Sequence, residues 1–193
     1  WFFRGTPIYT QLIFWSLLPT LYRTITLGIH GTEIGFSLET RAWFTPFWMA
    51  FIGLGLNEGA YLAEIIRAGI LSVDHGQWEA ATALGMNRGK IFRRIILPQA
   101  MRVIVPSIGN ETISMLKTTS LVSAIPYTLE LTFVANQKGQ ELFQPVPLLI
   151  AAAIWYLIVT SILMRIQSRI ERHFGKGFDS TSPGDTTFIE VTP

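Results

Sequence analysis

The sequence predicts an all-α fold, a polytopic bundle of transmembrane helices, and three observations carry that prediction. Only 15% of the 193 residues are charged and 49% are hydrophobic, whereas a soluble globular domain carries about 25% charged residues. The deficit is concentrated, since residues 5–22, 42–57 and 142–164 contain no Asp, Glu, Lys or Arg. The basic residues gather in two places, around residues 88–102 and 165–176.

A bilayer core of about 30 Å needs roughly 20 mostly apolar residues in helical form. Residues 142–164 meet that length unaided. The other two runs reach it when their flanks lie at the membrane interface. A large soluble helical core is the competing explanation, but soluble helices keep a polar face and residues 147–164 have almost none.

The chain opens Trp1-Phe2-Phe3-Arg4, with no initiator Met and no signal-peptide pattern. It reads as a chain whose N-terminal span lies outside this numbering. The first segment covers about residues 6–29 and contains Pro7, Pro19 and Arg23, so one straight helix is not expected. Residues 30–45 are polar and read as an exposed loop. The second span runs from Pro46 to about Ile66, and its Gly55 and Gly59 form a small-xxx-small pair suited to close helix packing. Residues 67–97 are polar and basic. Asp74 with Gln77 marks a helix start, Gly85 breaks that helix, and a basic helix follows from about Asn87.

A third span covers about residues 98–115, with Pro98 and Pro106 bending it or setting its start. The stretch 120–134 reads as a short or re-entrant helix, 136–144 as a polar loop and 145–164 as the clearest span. Residues 1–172 thus form one membrane domain, with a protruding loop at 74–97. The tail, 173–193, is rich in Ser, Thr, Gly and Asp and is expected to be disordered.

Composition excludes several classes of function. There is no Cys, hence no disulfide or thiolate metal site, and the three His stand far apart at 30, 75 and 173. No metal site is expected, and a membrane-embedded enzyme lacks its nucleophile–base pair or metal cluster. The net charge of +2 is too small to suggest nucleic acid. Gly85, Gly89 and Lys90 invite a phosphate-loop reading, but only three residues separate the glycines. Leu84 stands where the first Gly should be, and Ile91 where Ser or Thr must hold magnesium. The chain therefore shows no ATP site.

Short loops rich in Lys and Arg stay in the cytoplasm. Arg88, Lys90, Arg93, Arg94 and Arg102 put the 74–97 loop inside, and Arg165, Arg169, Arg172 and Lys176 put the C-terminus there too. Ionisable side chains within the membrane are costly and mark functional sites by default. Here they are Glu58, Glu111 and Lys117. They read either as a cavity recognising a charged solute, with Asn110 and Thr118 as further donors and acceptors, or as a structural ion pair such as Glu58 with Lys117. Glu64 and Arg67, three apart, read as an intrahelical pair.

Residues 79–98 read EAATALGMNRGKIFRRIILP. They resemble the EAA loop of ABC-importer membrane subunits: EAA, any three, Gly, any nine, Ile, any one, Leu-Pro. Every specified position and every gap matches. The segments Phe3-Arg4-Gly5-Thr6-Pro7 with Gln11, Tyr61-Leu62-Ala63-Glu64 with Arg67 and Gly69, and Gly109-Asn110-Glu111 with Lys117-Thr118-Thr119-Ser120-Leu121 resemble permeases for polar amino acids. The departures are Thr118, where many relatives have Asp, and Glu58, where small residues are commoner.

The resemblance implies the MetI-like fold of binding-protein-dependent importers and a bacterial inner-membrane location. It also implies a role as the translocation subunit for polar amino acids. Its implied partners are two ATPase subunits, a second permease subunit (identical or related), and an extracytoplasmic solute-binding protein. ATP and magnesium belong to the ATPase, with no cofactor in this chain. Glu79 would meet polar and basic groups on the ATPase, Gly85 would supply the turn, and Ala80, Ala83, Leu84 and Met86 would fill its docking groove, beside Ala81 of the tripeptide. An ATP-independent channel or secondary transporter is the alternative reading. It predicts internal repeats, which the sequence does not show, and leaves the EAA spacing unexplained.

Overall fold

Two long apolar helices frame the architecture. In the computed structural model, which describes residues 1–28 and 35–174, helix α4 covers Pro46–Leu71 and helix α9 covers Pro145–Phe174. Among the described residues these are the two helices long and apolar enough to cross a membrane. Each starts on a Pro, whose fixed φ suits a first turn and whose missing N–H would be unbonded there in any case. At 1.5 Å per residue they run about 39 and 45 Å, beyond a hydrocarbon core of about 30 Å. Their outer faces leave Trp48, Phe51, Ile154, Trp155 and Leu157 exposed, as lipid-facing helices do.

Before α4 come α1 (Phe2–Gly5) and α2 (Ile8–Leu21), separated at Thr6-Pro7. Pro7 thus sets the start of α2, whereas Pro19 lies inside α2 without breaking it, so from Ile8 to Leu21 the first segment is one helix, contrary to expectation. It also ends early: Thr24–Gly28 forms strand β1, paired antiparallel with β2 (Gly35–Glu39), with Thr24 opposite Glu39 and Gly28 opposite Gly35. This hairpin is absent from the sequence prediction. Alternating Thr-Ile-Thr-Leu suits a strand better than a helix end. A short α3 (Thr40–Trp43) follows, and buried Thr40 ties it back by donating its backbone N–H to the Arg23 carbonyl at 3.0 Å. Residues 30–34 of the expected 30–45 loop lie outside the described residues. The tail expectation lies outside them from residue 175 on.

After α4 the chain forms α5 (His75–Ala83) and α6 (Arg88–Ile91), then a π-turn (Phe92–Ile96) leading directly into α7 (Leu97–Thr118). Pro98 explains the π-turn. It cannot donate to the carbonyl of residue 94, and its ring clashes there in an α-helix. A wider turn, with the Leu97 N–H bonded to the Phe92 carbonyl, moves that carbonyl aside.

A 3₁₀ stretch (Thr119–Ala124) ends this rise, and α8 covers Leu131–Glu141. The expected polar loop at 136–144 is thus mostly helical. Lys138 and Glu141 pair three apart at 2.6 Å, supporting the helix that hydrophobicity alone did not mark.

Leu12, Ala50, Leu54, Val122 and Ile125 form the central core, joining α2, α4 and the 3₁₀ stretch. Glycines set the closest approaches, though not the expected pair. A Cβ built at Gly55 or Gly59 meets nothing within 4 Å, so neither packs a helix within this chain. Instead α2 meets α4 at Gly53, where a Cβ would lie 3.0 Å from Trp15. Helix α7 meets it at Gly69, where a Cβ would lie 2.2 Å from Ile104.

The tightest backbone contact is at Gly139, where a Cβ would lie 2.6 Å from the Pro145 Cα and 3.3 Å from its nitrogen. Backbone cannot swing aside as a side chain can. Gly139→Ala should therefore cost about 2–3 kcal/mol, while Gly55→Ala stays within about 0.5 kcal/mol. Unfolding midpoints of the two purified variants in one detergent check this.

Candidate functional site

The 74–97 loop owes its shape to local chemistry. Asp74 caps α5 by accepting from the Gly76 N–H at 2.7 Å. Gln77, expected to share that capping, instead accepts from the Gln99 amide at 3.3 Å. The helix ends in a Schellman motif. The Met86 N–H bonds the Ala81 carbonyl at 3.2 Å, the Gly85 N–H bonds the Thr82 carbonyl at 2.9 Å, and Gly85 has φ +74°. A side chain in that left-handed conformation is strained, which accounts for Gly four residues after the second Ala of the motif.

The hydrophobic contact that accompanies such a cap is present, as Met86 packs on the cluster of Ala81, Ile91 and Ile96. Ala81, 2% exposed, and Met86 therefore face the protein's own loop, and Met86 holds the loop rather than projecting from it. Glu79, Ala80, Ala83, Leu84 and Gly85 are exposed, with Leu84 82% accessible at the tip. Glu79 lies 3.4 Å from the imidazole of His75, one turn back. The result is a braced helix presenting one carboxylate and a small apolar tip. Ile95 packs on the same cluster, so the Ile of the motif belongs to the loop's support.

A second site lies between α2, α4 and α7. A cleft of about 340 Å³ brings together Arg4, Asn57, Glu58, Tyr61, Glu111 and Thr118. The FRGTP segment and Gln11 build its floor. The Gln11 amide donates to the Phe3 carbonyl at 2.7 Å, the Thr6 carbonyl at 3.1 Å and the Thr6 hydroxyl at 2.6 Å. Asn57 adds a bond to the Phe3 carbonyl at 2.6 Å. Arg4 lies 3.7 Å from Glu64, which also pairs with Arg67 as expected.

Glu58, Glu111 and Thr118 thus share one cleft, and the other two expected pathway residues lie elsewhere. Asn110 accepts from the Gln167 amide of α9 at 3.0 Å, and Lys117 does not line the cleft. No Glu58–Lys117 ion pair forms among the described residues. On a helix, Asn110 points about 100° from Glu111, which takes it to α9. Arg4, Tyr61 and Ser114 were not expected at this cleft. Arg4 and Tyr61 lie in the FRGTP and Tyr-Leu-Ala-Glu segments, so those resemblances were the available signal.

Fold and sites together define a polytopic helical membrane protein with a braced, exposed helix and a separate charged cleft. Residues 1–176 match the family of binding-protein-dependent transport system inner membrane components, and the chain belongs to that family. Its architecture is the MetI-like permease fold.

The chain is 56% identical over 181 residues to the arginine transport system permease protein ArgU of Corynebacterium glutamicum, covering 94% of this chain and 56% of the relative. It is 45% identical over 170 residues to the octopine transport system permease protein OccM of Rhizobium radiobacter, covering 88% of this chain and 65% of the relative. It thus spans roughly three fifths of the length of these relatives. Among solved structures, an amino acid ABC transporter with histidines is 34% identical, with a TM-score of 0.70, covering 89% of this chain and 71% of its own.

Proposed function

We propose that this chain is the translocation subunit of an ATP-driven importer for polar amino acids. The observation that carries the reading is the α5 tip. A helix end locked by a Schellman motif, with Leu84 82% exposed, is shaped to insert into a partner rather than to cover its own core.

The partner is an ATPase subunit carrying ATP and magnesium, one for each of two permease subunits. A solute-binding protein delivers the amino acid from outside. The loop and the end of α9 lie on the cytoplasmic side, as their basic residues require. When ATP closes the ATPase pair, α5 follows, and the rigid connection through the π-turn carries the movement into α7. ATP shifts the population only because it binds the closed state better than the open one.

The cleft favours a cationic amino acid. Two carboxyl groups, Glu58 and Glu111, line one small volume with a single cation, Arg4, which is drawn toward Glu64 at 3.7 Å, so an excess of negative charge is left for a bound cation to relieve. The relative named for arginine transport supports this reading. These 193 residues contain no cysteine, so Leu84→Cys introduces the one thiol among them for cross-linking, read against the same protein without it. It should cross-link to the ATPase subunit in the assembled complex. Labelling of Leu84→Cys by a soluble maleimide, equally fast with and without the ATPase, would contradict the docking.

A further inference from the structure

The 145–164 stretch of α9 serves as a ruler for the membrane. Tyr156 lies eleven residues beyond Pro145, about 16 Å along the helix axis and so near the middle of a core of about 30 Å. The Tyr156 hydroxyl donates to Glu130 Oε1 at 2.7 Å. Glu130 is therefore a carboxyl group at mid-membrane, and it is 8% exposed.

Its place in the chain is equally specific. Helix α7 stops at Thr118, the 3₁₀ stretch runs to Ala124, and α8 starts only after Glu130. The far end of α8 meets the start of α9 at Gly139 and Pro145. Helix α8 is thus a half-length helix, rising from mid-membrane to one surface along the outer half of α9. A helix end in the hydrocarbon region leaves backbone N–H groups that no water can satisfy. Glu130 Oε2 accepts from one of them, the Phe133 N–H, at 2.7 Å. One carboxyl group therefore closes the break and holds it to the neighbouring span.

An open groove of about 380 Å³ adjoins Glu130 and Tyr156, lined by Leu116, Thr119, Leu131 and Trp155. Trp155 and Leu131 are exposed along it, so no packed side chains block the start of the broken helix on that side. We infer that Glu130 and Tyr156 form a latch that positions the half-helix α8 against α9 and releases it when the outer half of the translocation route opens. The inference rests on the permease reading for its transport consequence, but the movement itself can be measured without it.

Tyr156→Phe removes the latch hydroxyl and keeps both the ring and the helix cap, so it should fold. Spin labels at Gln137→Cys and Ala153→Cys, in the full-length protein in lipid nanodiscs, report the α8–α9 distance. Tyr156→Phe should raise the population of a second, longer distance on the order of tenfold, the factor expected from losing a hydrogen bond to a carboxyl group. Glu130→Gln keeps an acceptor for the Phe133 N–H, and its amide can donate to the Tyr156 oxygen in place of the original bond, so it should raise that population less than Tyr156→Phe does.

The double variant should be no more open than Tyr156→Phe alone, because that change already removes the hydroxyl that meets Glu130, Thr119 and Thr132. In the assembled importer, Tyr156→Phe should lower uptake several-fold while ATP hydrolysis without substrate rises. A purely structural brace would lower both together. Unchanged distances in Tyr156→Phe, or additive effects in the double variant, would overturn the latch. A wild-type complex without ATP-driven uptake, whose label distances still respond to Tyr156→Phe, would instead overturn the permease reading and leave the latch standing.

Discussion

Replacing Leu84 with Asp should lower ATP-driven uptake on the order of a hundredfold while leaving the protein folded and inserted. Leu84 is 82% exposed, so the substitution disturbs no packing within the chain. In a partner's apolar groove the same carboxylate would be desolvated without a partner, at a cost of several kcal/mol. Glu79→Lys acts at the same surface by reversing its charge, and its His75 neighbour at 3.4 Å is too exposed to make that pair structurally important.

Two further changes separate docking from support. Ala81→Leu would overfill a site only 2% exposed and should lower the thermal midpoint instead of acting at the partner surface. Gly85→Ala meets no atom within 4 Å, so its cost is backbone strain at φ +74°, about 1–2 kcal/mol. It should weaken coupling less than Leu84→Asp. The comparison is made by uptake assays alongside quantification of inserted protein. Normal uptake in a Leu84→Asp, Glu79→Lys double variant would remove the loop from the coupling path.

Neutralising the cleft is expected to have the next largest effect. A hydrogen bond to a charged group is worth about 1.5–3 kcal/mol, or roughly 10- to 150-fold in affinity. Glu111→Gln and Glu58→Gln should each raise the apparent KM for a cationic amino acid within that range. A neutral amino acid should be affected little. Substrate-stimulated ATP hydrolysis in vesicles reads this directly. Asn110→Ala is the control: its amide oxygen is engaged by Gln167, so it should alter stability more than selectivity. Unchanged KM in both glutamine variants, or equal losses for cationic and neutral substrates, would make Glu58 and Glu111 structural.

Much of this was legible in the sequence for identifiable reasons. Charge-free runs marked α4 and α9, because ionisable side chains are costly in lipid. The Ala81–Gly85 spacing was readable as a helix stop, since only Gly takes that turn without strain. Other features depend on contacts between distant residues. Nothing local separates Gly53 and Gly69, which pack, from Gly55 and Gly59, which do not. That depends on where α2 and α7 cross α4.

The β1–β2 hairpin was hidden because its strand residues, Thr24 to Leu27, continue an apolar run. The π-turn follows from Pro98, yet the sequence shows only that some distortion is needed. In the cleft, Glu58 and Glu111 were singled out by their cost in a membrane. Arg4 was not, because its position there depends on the Gln11 network that folds the FRGTP segment back. Glu130 fell inside the stretch read as a short or re-entrant helix and was not singled out, whereas the structure starts that helix only after it and sets it against Tyr156.

The central claim is that this chain conducts an amino acid only when a separate ATPase drives it. Sealed vesicles containing the full-length protein with its ATPase and binding protein, given labelled arginine outside and ATP at the ATPase face, test that claim most directly. The account predicts accumulation above the outside concentration that stops when ATP, the ATPase or the binding protein is left out. Arginine equilibrating across the membrane at the same rate without the ATPase would contradict it.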